Sequence, residues 1–181
     1  MRKTLGIVAG ATASVTLLAF AVDLMIHDVS LNIATWACWL ALDVVITTSL
    51  IKAKSNDIWL FLGYTIGAFL ITVTLLFKGT WQWGMMESIV AALCAISIAA
   101  QLMSGPRLAI IFSMVTMVIG GIPTIIEAMF TPDRSTWWFW GSCAACGILS
   151  MAVAKRWTTE ERFVPSISAA LNGIMFILVV M

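Results

Sequence analysis

Apolar runs of about 20 residues, separated by short polar connections, are the feature that most constrains this chain. A run of that length is what a helix needs to cross the hydrocarbon core of a bilayer. Backbone polar groups in hydrocarbon must be paired within their own segment, so each run should form a helix. Seven such runs follow one another, at about residues 5–26, 33–52, 57–77, 81–102, 108–130, 135–154 and 163–180.

Composition supports a membrane protein and excludes other classes. Hydrophobic residues make up 61% of the chain and charged residues only 10%, whereas soluble domains carry about 25% charged residues. The net charge of +1 gives no basis for nucleic-acid binding. The four cysteines fall within apolar runs, where we expect reduced packing residues. The sequence therefore predicts an all-α integral membrane protein of seven transmembrane helices in contact with membrane lipid.

Positive charges predict how the chain is inserted. Eight of the ten Lys and Arg residues fall at the N-terminus or around the connections after the second, fourth and sixth runs, whereas Lys78 and Arg134 fall on the opposite side. The positive-inside rule then places the N-terminus in the cytoplasm and the C-terminus outside, in the plasma membrane. Ala19-Phe20-Ala21 also resembles a signal-peptide cleavage pattern, but the apolar run continues past Ala21, which favours a retained helix.

The two halves of the chain look like copies of one unit. Residues 35–39 and 136–140 share the form T-W-x-x-W at an offset of 101 residues, and that offset gives nine identities in the 36 pairs from 35/136 to 70/171. The fourth run, 81–102, has no counterpart. Because three is odd, one extra crossing lets two three-span units face the same way. We therefore expect two parallel three-helix bundles, 1–80 and 103–181, joined by a linker helix.

This arrangement resembles the SWEET / PQ-loop (MtN3-like) superfamily of small transporters. Pro123-Thr124 stands where that superfamily has its Pro-Gln pair, and Pro132, Ser135 and a Trp-rich helix start follow as they do in the family. Asn172 resembles the Asn that lines the central pocket of SWEETs together with a Trp. The resemblance implies transport of a small polar metabolite (a sugar, amino acid or vitamin-like compound) by alternating access. A non-transporting accessory or receptor-like protein on the same fold is the alternative.

Two polar residues deep in the apolar runs are candidate substrate-binding residues. Asp43 lies near the middle of the second run, where a carboxylate costs at least about 2.5–3.5 kcal/mol. Either a protonated side chain bonded to a neighbouring helix, or a role in proton coupling or substrate binding, would justify that cost. Asn172 is central in the seventh run, with Ser168 one turn earlier. A buried amide there serves either as a contact between helices or, with Ser168, as part of a pocket.

Two tryptophans occupy corresponding places in the two units. Trp39 shares a helical stripe with Asp43, and Trp140 lies at the equivalent position of the sixth run. Tryptophans near span ends commonly form an interfacial belt. The alternative is that Trp39 and Trp140 line the outer mouth of a substrate path.

A hinge is expected in the fifth run. Gly120, Gly121 and Pro123 stand close together there, and a proline removes one helical hydrogen bond. The chain contains no P-loop, no His-Glu-x-x-His and no G-x-S-x-G motif, so we expect no enzyme, no cofactor and no metal site. The expected partner is a small-molecule substrate, with protons and a second copy of the chain left open.

Overall fold

Helices make up most of the computed structural model, which describes residues 2–27, 31–55 and 58–181. All seven are long and apolar enough to cross a membrane, consistent with an integral membrane protein. A short 3-10 turn precedes the sixth helix and a π-helical turn precedes the seventh. The helices are α1 (Arg2–Ile26), α2 (Ile33–Lys52), α3 (Ile58–Lys78), α4 (Met85–Met103), α5 (Pro106–Phe130), α6 (Trp137–Val153) and α7 (Val164–Val180).

The predicted bounds are close to those observed except at the start of α4. That helix begins at Met85 and not at Trp81, because Glu87 Oε2 accepts the backbone N–H of Gly84 at 3.0 Å. A carboxylate that reaches back to the residue before a helix fixes the first turn at that point. Trp81 and Trp83 lie before the helix and stack on each other, with ring centroids 5.9 Å apart.

The helices pack in an order that recurs in the two halves of the chain. In the first half α3 lies between α1 and α2, and in the second half α7 lies between α5 and α6. The halves meet where α1 packs against α6 and where α2 packs against α5. Helix α4 packs against α5 and α2, and only 17% of its apolar stretch is buried, against 33–44% for the other six helices. It is therefore the most peripheral helix.

The two ends of the helical bundle differ in charge and in structure. The first, called here the Asn32 end, carries the connections before α2, α4 and α6. Asn32 joins two of them, because its Nδ2 donates to Gln82 O (2.9 Å) and to Glu87 Oε1 (3.0 Å), and its Oδ1 accepts from Gln82 N at 3.1 Å. The opposite end, called the basic end, carries eight of the ten Lys and Arg residues.

Glycines allow α1 and α3 to pack closely. A Cβ atom on Gly63 would collide with the carbonyl oxygen of Gly10, and a Cβ on Gly67 would collide with the side chain of Leu17. Ser14 Oγ also donates to the Gly63 carbonyl at 3.4 Å. Small residues that let two backbones approach are a common basis of helix association in membranes. The Gly63-x-x-x-Gly67 pattern therefore serves packing.

Replacing Gly63 with Ala should destabilise the protein by about 1–3 kcal/mol, because the added methyl group forces α1 and α3 apart. The measurement is the free energy of unfolding in detergent. Gly173→Ala is the matched control, since a Cβ there meets no atom within 4 Å and should leave stability unchanged or raise it by about 1 kcal/mol. Equal stabilities for the two variants would contradict the packing role of Gly63.

Candidate functional site

A cavity of about 480 Å³ lies between the two halves of the chain and opens at the Asn32 end. Its rim includes Asn32, Thr131 and Asp133, and it extends inward to Asp43 and Tyr64. Six of the seven helices contribute to its lining, α4 being the exception. All five residues predicted from the sequence to bind substrate line this one cavity: Asp43, Asn172, Trp39, Trp140 and Ser168.

Asp43 lies in the lining of the cavity as a nearly buried carboxyl group. The residue is 8% exposed. In the part of the chain that the structure describes, no group donates a hydrogen bond to its carboxyl oxygens. The bond to a neighbouring helix that the sequence left open is therefore not found among the described residues. The Asp43 carboxyl is available to whatever occupies the cavity.

A chain of hydrogen bonds crosses the inner part of the cavity and links three helices. Asn172 Nδ2 donates to the Ser168 carbonyl at 2.7 Å, within α7. Ser168 Oγ donates to the Tyr64 hydroxyl on α3 at 3.3 Å, and that hydroxyl donates to the Cys143 carbonyl on α6 at 3.1 Å. The chain connects the first half of the protein to the second, and it holds the Asn172 side chain in one orientation.

Tyr64 is the polar residue of the site that sequence reasoning missed. It is the only tyrosine of the chain and lies in mid-helix, where its hydroxyl needs a partner. At the repeat offset of 101 residues the position equivalent to Tyr64 is Pro165. The comparison of the two halves therefore does not mark Tyr64 as a shared residue. A lone tyrosine between Gly63 and Gly67 is the one clue that the sequence offered.

Aromatic rings form much of the cavity wall. Phe20 stacks on Phe139 with centroids 4.3 Å apart, and Phe139 meets Trp140 edge-on at 4.9 Å. Trp140 Nε1 donates to Thr136 Oγ1 at 3.1 Å, which fixes the indole. Trp39 lines the same cavity from α2. Other tryptophans are 52–75% exposed and suit an interfacial belt instead: Trp81, Trp83, Trp137 and Trp157.

The three predicted hinge residues lie along the part of α5 that borders the cavity. Gly121 lines it, whereas Gly120 and Pro123 line a second cavity of about 360 Å³ between α2, α4 and α5. A Cβ on Gly120 would lie 3.4 Å from Val90 Cγ2, and one on Gly121 would lie 3.5 Å from Leu171 Cδ2. These are near-ordinary contacts, so close packing does not require glycine at either position, in contrast to Gly63.

No protein-family model matches the chain, and searches of curated proteins and of solved structures give no significant match. The residues that line the cavity, and the helices that position them, are therefore the features of this protein that indicate a function.

Replacing Tyr64 with Phe should lower the free energy of unfolding by about 0.5–1.5 kcal/mol, because the hydrogen bonds to Cys143 and Ser168 are lost while the ring remains. Thermal unfolding in detergent measures the change. Thr72→Val is the matched control, since it removes a hydroxyl from the same helix whose bond is local, to the Ala68 carbonyl at 2.7 Å. A larger effect for Thr72→Val would argue against the link between the halves.

Proposed function

We propose that this protein is a membrane transporter that moves a small polar metabolite through the central cavity by alternating access. The observation that carries the proposal is the position of the cavity, between two halves of the chain that have the same helix order. The polar residues that are costly in a membrane meet there. Binding pockets between helices commonly take this form, an apolar wall with a few converging polar groups.

The helix packing supports two parallel three-helix bundles joined by α4. The orders α1–α3–α2 and α5–α7–α6 are equivalent if α1, α2 and α3 correspond to α5, α6 and α7. Under the same correspondence, the contact of α1 with α6 becomes the contact of α5 with α2. Two copies of one unit, related by an axis along the membrane normal, would give this pattern. Helix α4 lies at the periphery of the bundle. That position suits a linker whose single crossing gives the second three-helix unit the same orientation in the membrane as the first. In this proposal the resemblance to the SWEET / PQ-loop superfamily extends to the arrangement of the helices.

A cavity that is open at one end only is what one of the two states of alternating access would have. The cavity opens at the Asn32 end, which faces outward if the basic end is cytoplasmic. Towards the basic end the bundle is filled by fully buried side chains that include Leu60, Ile110 and Val164. Opening that side requires one bundle to rock against the other around the site, and α5, with Gly120, Gly121 and Pro123, is the helix best suited to bend.

Accessibility of residue 172 from both faces of the membrane tests the proposal without knowledge of the substrate, because Asn172 is partly exposed and lines the cavity. The variant Asn172→Cys is made with the four native cysteines, all buried and unpaired in the structure, replaced by Ala. Sealed vesicles of both orientations are treated with a membrane-impermeant thiol reagent. A transporter should be labelled from both faces, because the site alternates, whereas a receptor-like protein should be labelled from the Asn32 end only.

Sidedness is checked with Ser135→Cys, which should react only from the Asn32 end, and with Lys155→Cys, which should react only from the basic end. Both positions are exposed. Labelling of Asn172→Cys from a single face, with both markers behaving as expected, would overturn the transport proposal.

The double variant Gly120→Ala/Gly121→Ala should slow labelling of Asn172→Cys from the basic end without loss of stability. Each alanine favours the straight helix by about 1 kcal/mol, and about 2 kcal/mol in total corresponds to a change of about thirtyfold in the population of a bent state. The measurements are the labelling rate and the thermal midpoint. Gly173→Ala, a helical glycine outside the proposed hinge, should leave the labelling rate unchanged. An unchanged rate in the double variant would remove α5 as the hinge.

A further inference from the structure

We infer that the cavity selects an organic cation, a small metabolite that carries an ammonium group. This inference rests on the proposed function and specifies its substrate class. Three independent features carry it: the sign of the charges in the lining, the unpartnered carboxyl group of Asp43, and the aromatic wall.

The charged lining is acidic. Among the described residues that line the cavity, Asp43, Glu127 and Asp133 are acidic and none is Lys, Arg or His. Arg134 follows Asp133 but is not part of the lining, and its Nη2 donates to the Met181 carbonyl at 2.9 Å. A cleft lined by one sign of charge between low-dielectric walls focuses the field and concentrates ions of the opposite sign. The cavity therefore favours cations over anions.

Asp43 supplies a negative charge in the inner part of the cavity, where it can pair with a cationic ligand. Its carboxyl group is nearly buried and accepts no hydrogen bond from the described residues. A buried carboxylate requires a paired charge or a proton. Glu127 and Asp133 lie nearer to solvent at the rim, and Asp133 Oδ1 already accepts from Ser135 N and Oγ. An ammonium group beside Asp43 would supply the missing partner.

The amide of Asn172, which lines the same cavity as Asp43, adds a second acceptor. Asn172 donates from Nδ2 to Ser168, so its Oδ1 is left as an acceptor. An ammonium group offers only donors, and both the Asp43 carboxyl and the Asn172 amide oxygen can accept from it. A carboxylate or phosphate ligand would place acceptors against both of these oxygens.

The aromatic wall adds a second attraction for the same charge. The face of an indole attracts an ammonium group more strongly than the other aromatic side chains do. Trp39 on α2 and Trp140 on α6 present two indoles to one cavity, with Phe20 and Phe139 beside them. Cages of this kind are a common way to recognise quaternary ammonium ligands.

Charged thiol reagents measure this selectivity directly. Thr124→Cys, in the background without native cysteines, places a thiol on the cavity lining. A trimethylammonium-bearing methanethiosulfonate and its sulfonate-bearing counterpart are the two probes. The ratio of their reaction rates is compared with the ratio at Met85→Cys, a position that is 77% exposed and absent from the cavity lining. We expect the cation-to-anion ratio at Thr124→Cys to be larger by about tenfold or more, the range that field focusing gives.

Asp43→Asn should reduce that enhanced ratio several-fold, because it removes the deepest charge without changing shape. Asp23→Asn is the matched control, since Asp23 is paired with His27 at 3.0 Å on α1 and does not line the cavity. If Asp43→Asn does not fold, Glu127→Gln at the exposed rim takes its place and should also lower the ratio.

An equal ratio at the two reporter positions, or a ratio that falls equally with Asp23→Asn, would overturn the cation inference. That failure is distinct from failure of the transport proposal. The transport proposal depends on labelling of Asn172→Cys from both faces, and a carrier of a neutral metabolite would pass that test while showing no charge preference.

Discussion

The lack of water in the bilayer core is the constraint on which the structure depends. It forces backbone polar groups to pair within each segment, which is why the seven apolar runs form helices. It also removes the hydrophobic drive that holds helices together in water, so close contact between backbones must supply part of the attraction. Gly10, Gly63 and Gly67 permit that contact between α1 and α3. The helix order within the first half of the chain therefore depends on positions that have almost no side chain.

The same constraint determines where polar side chains lie. A hydroxyl or amide in the membrane needs a partner, and Tyr64, Ser168 and Asn172 find partners in one another and in the backbone of α6. Asp43 is different, because it lines the cavity without a hydrogen bond from any described group. A carboxyl group at that depth is costly unless it is paired. An occupant of the cavity that pairs with it would offset that cost.

The sequence predicted the helices well because length and hydropathy determine membrane spans locally. It failed at the start of α4, where the Glu87 carboxylate caps Gly84 and also accepts from Asn32, a contact between distant segments. It found Asp43, Asn172 and Ser168 because a polar residue in mid-span is conspicuous. It missed Tyr64, Phe20 and Phe139, because an aromatic residue in an apolar run is most simply interpreted as part of the hydrophobic core. Which rings face a cavity depends on how the helices pack, and a single run does not contain that information.

The two halves of the chain share their helix order but not the polar residues deep in the cavity, and this asymmetry matters for mechanism. Trp39 and Trp140 correspond in the repeat, whereas Asp43 corresponds to Ala144 and Tyr64 to Pro165. The carboxyl group thus belongs to the first half and the free amide oxygen of Asn172 to the second. A ligand that contacts both would bridge the two halves of the chain. Its binding energy would then differ between states in which the halves stand closer or further apart, and that difference is what allows a ligand to drive a conformational change.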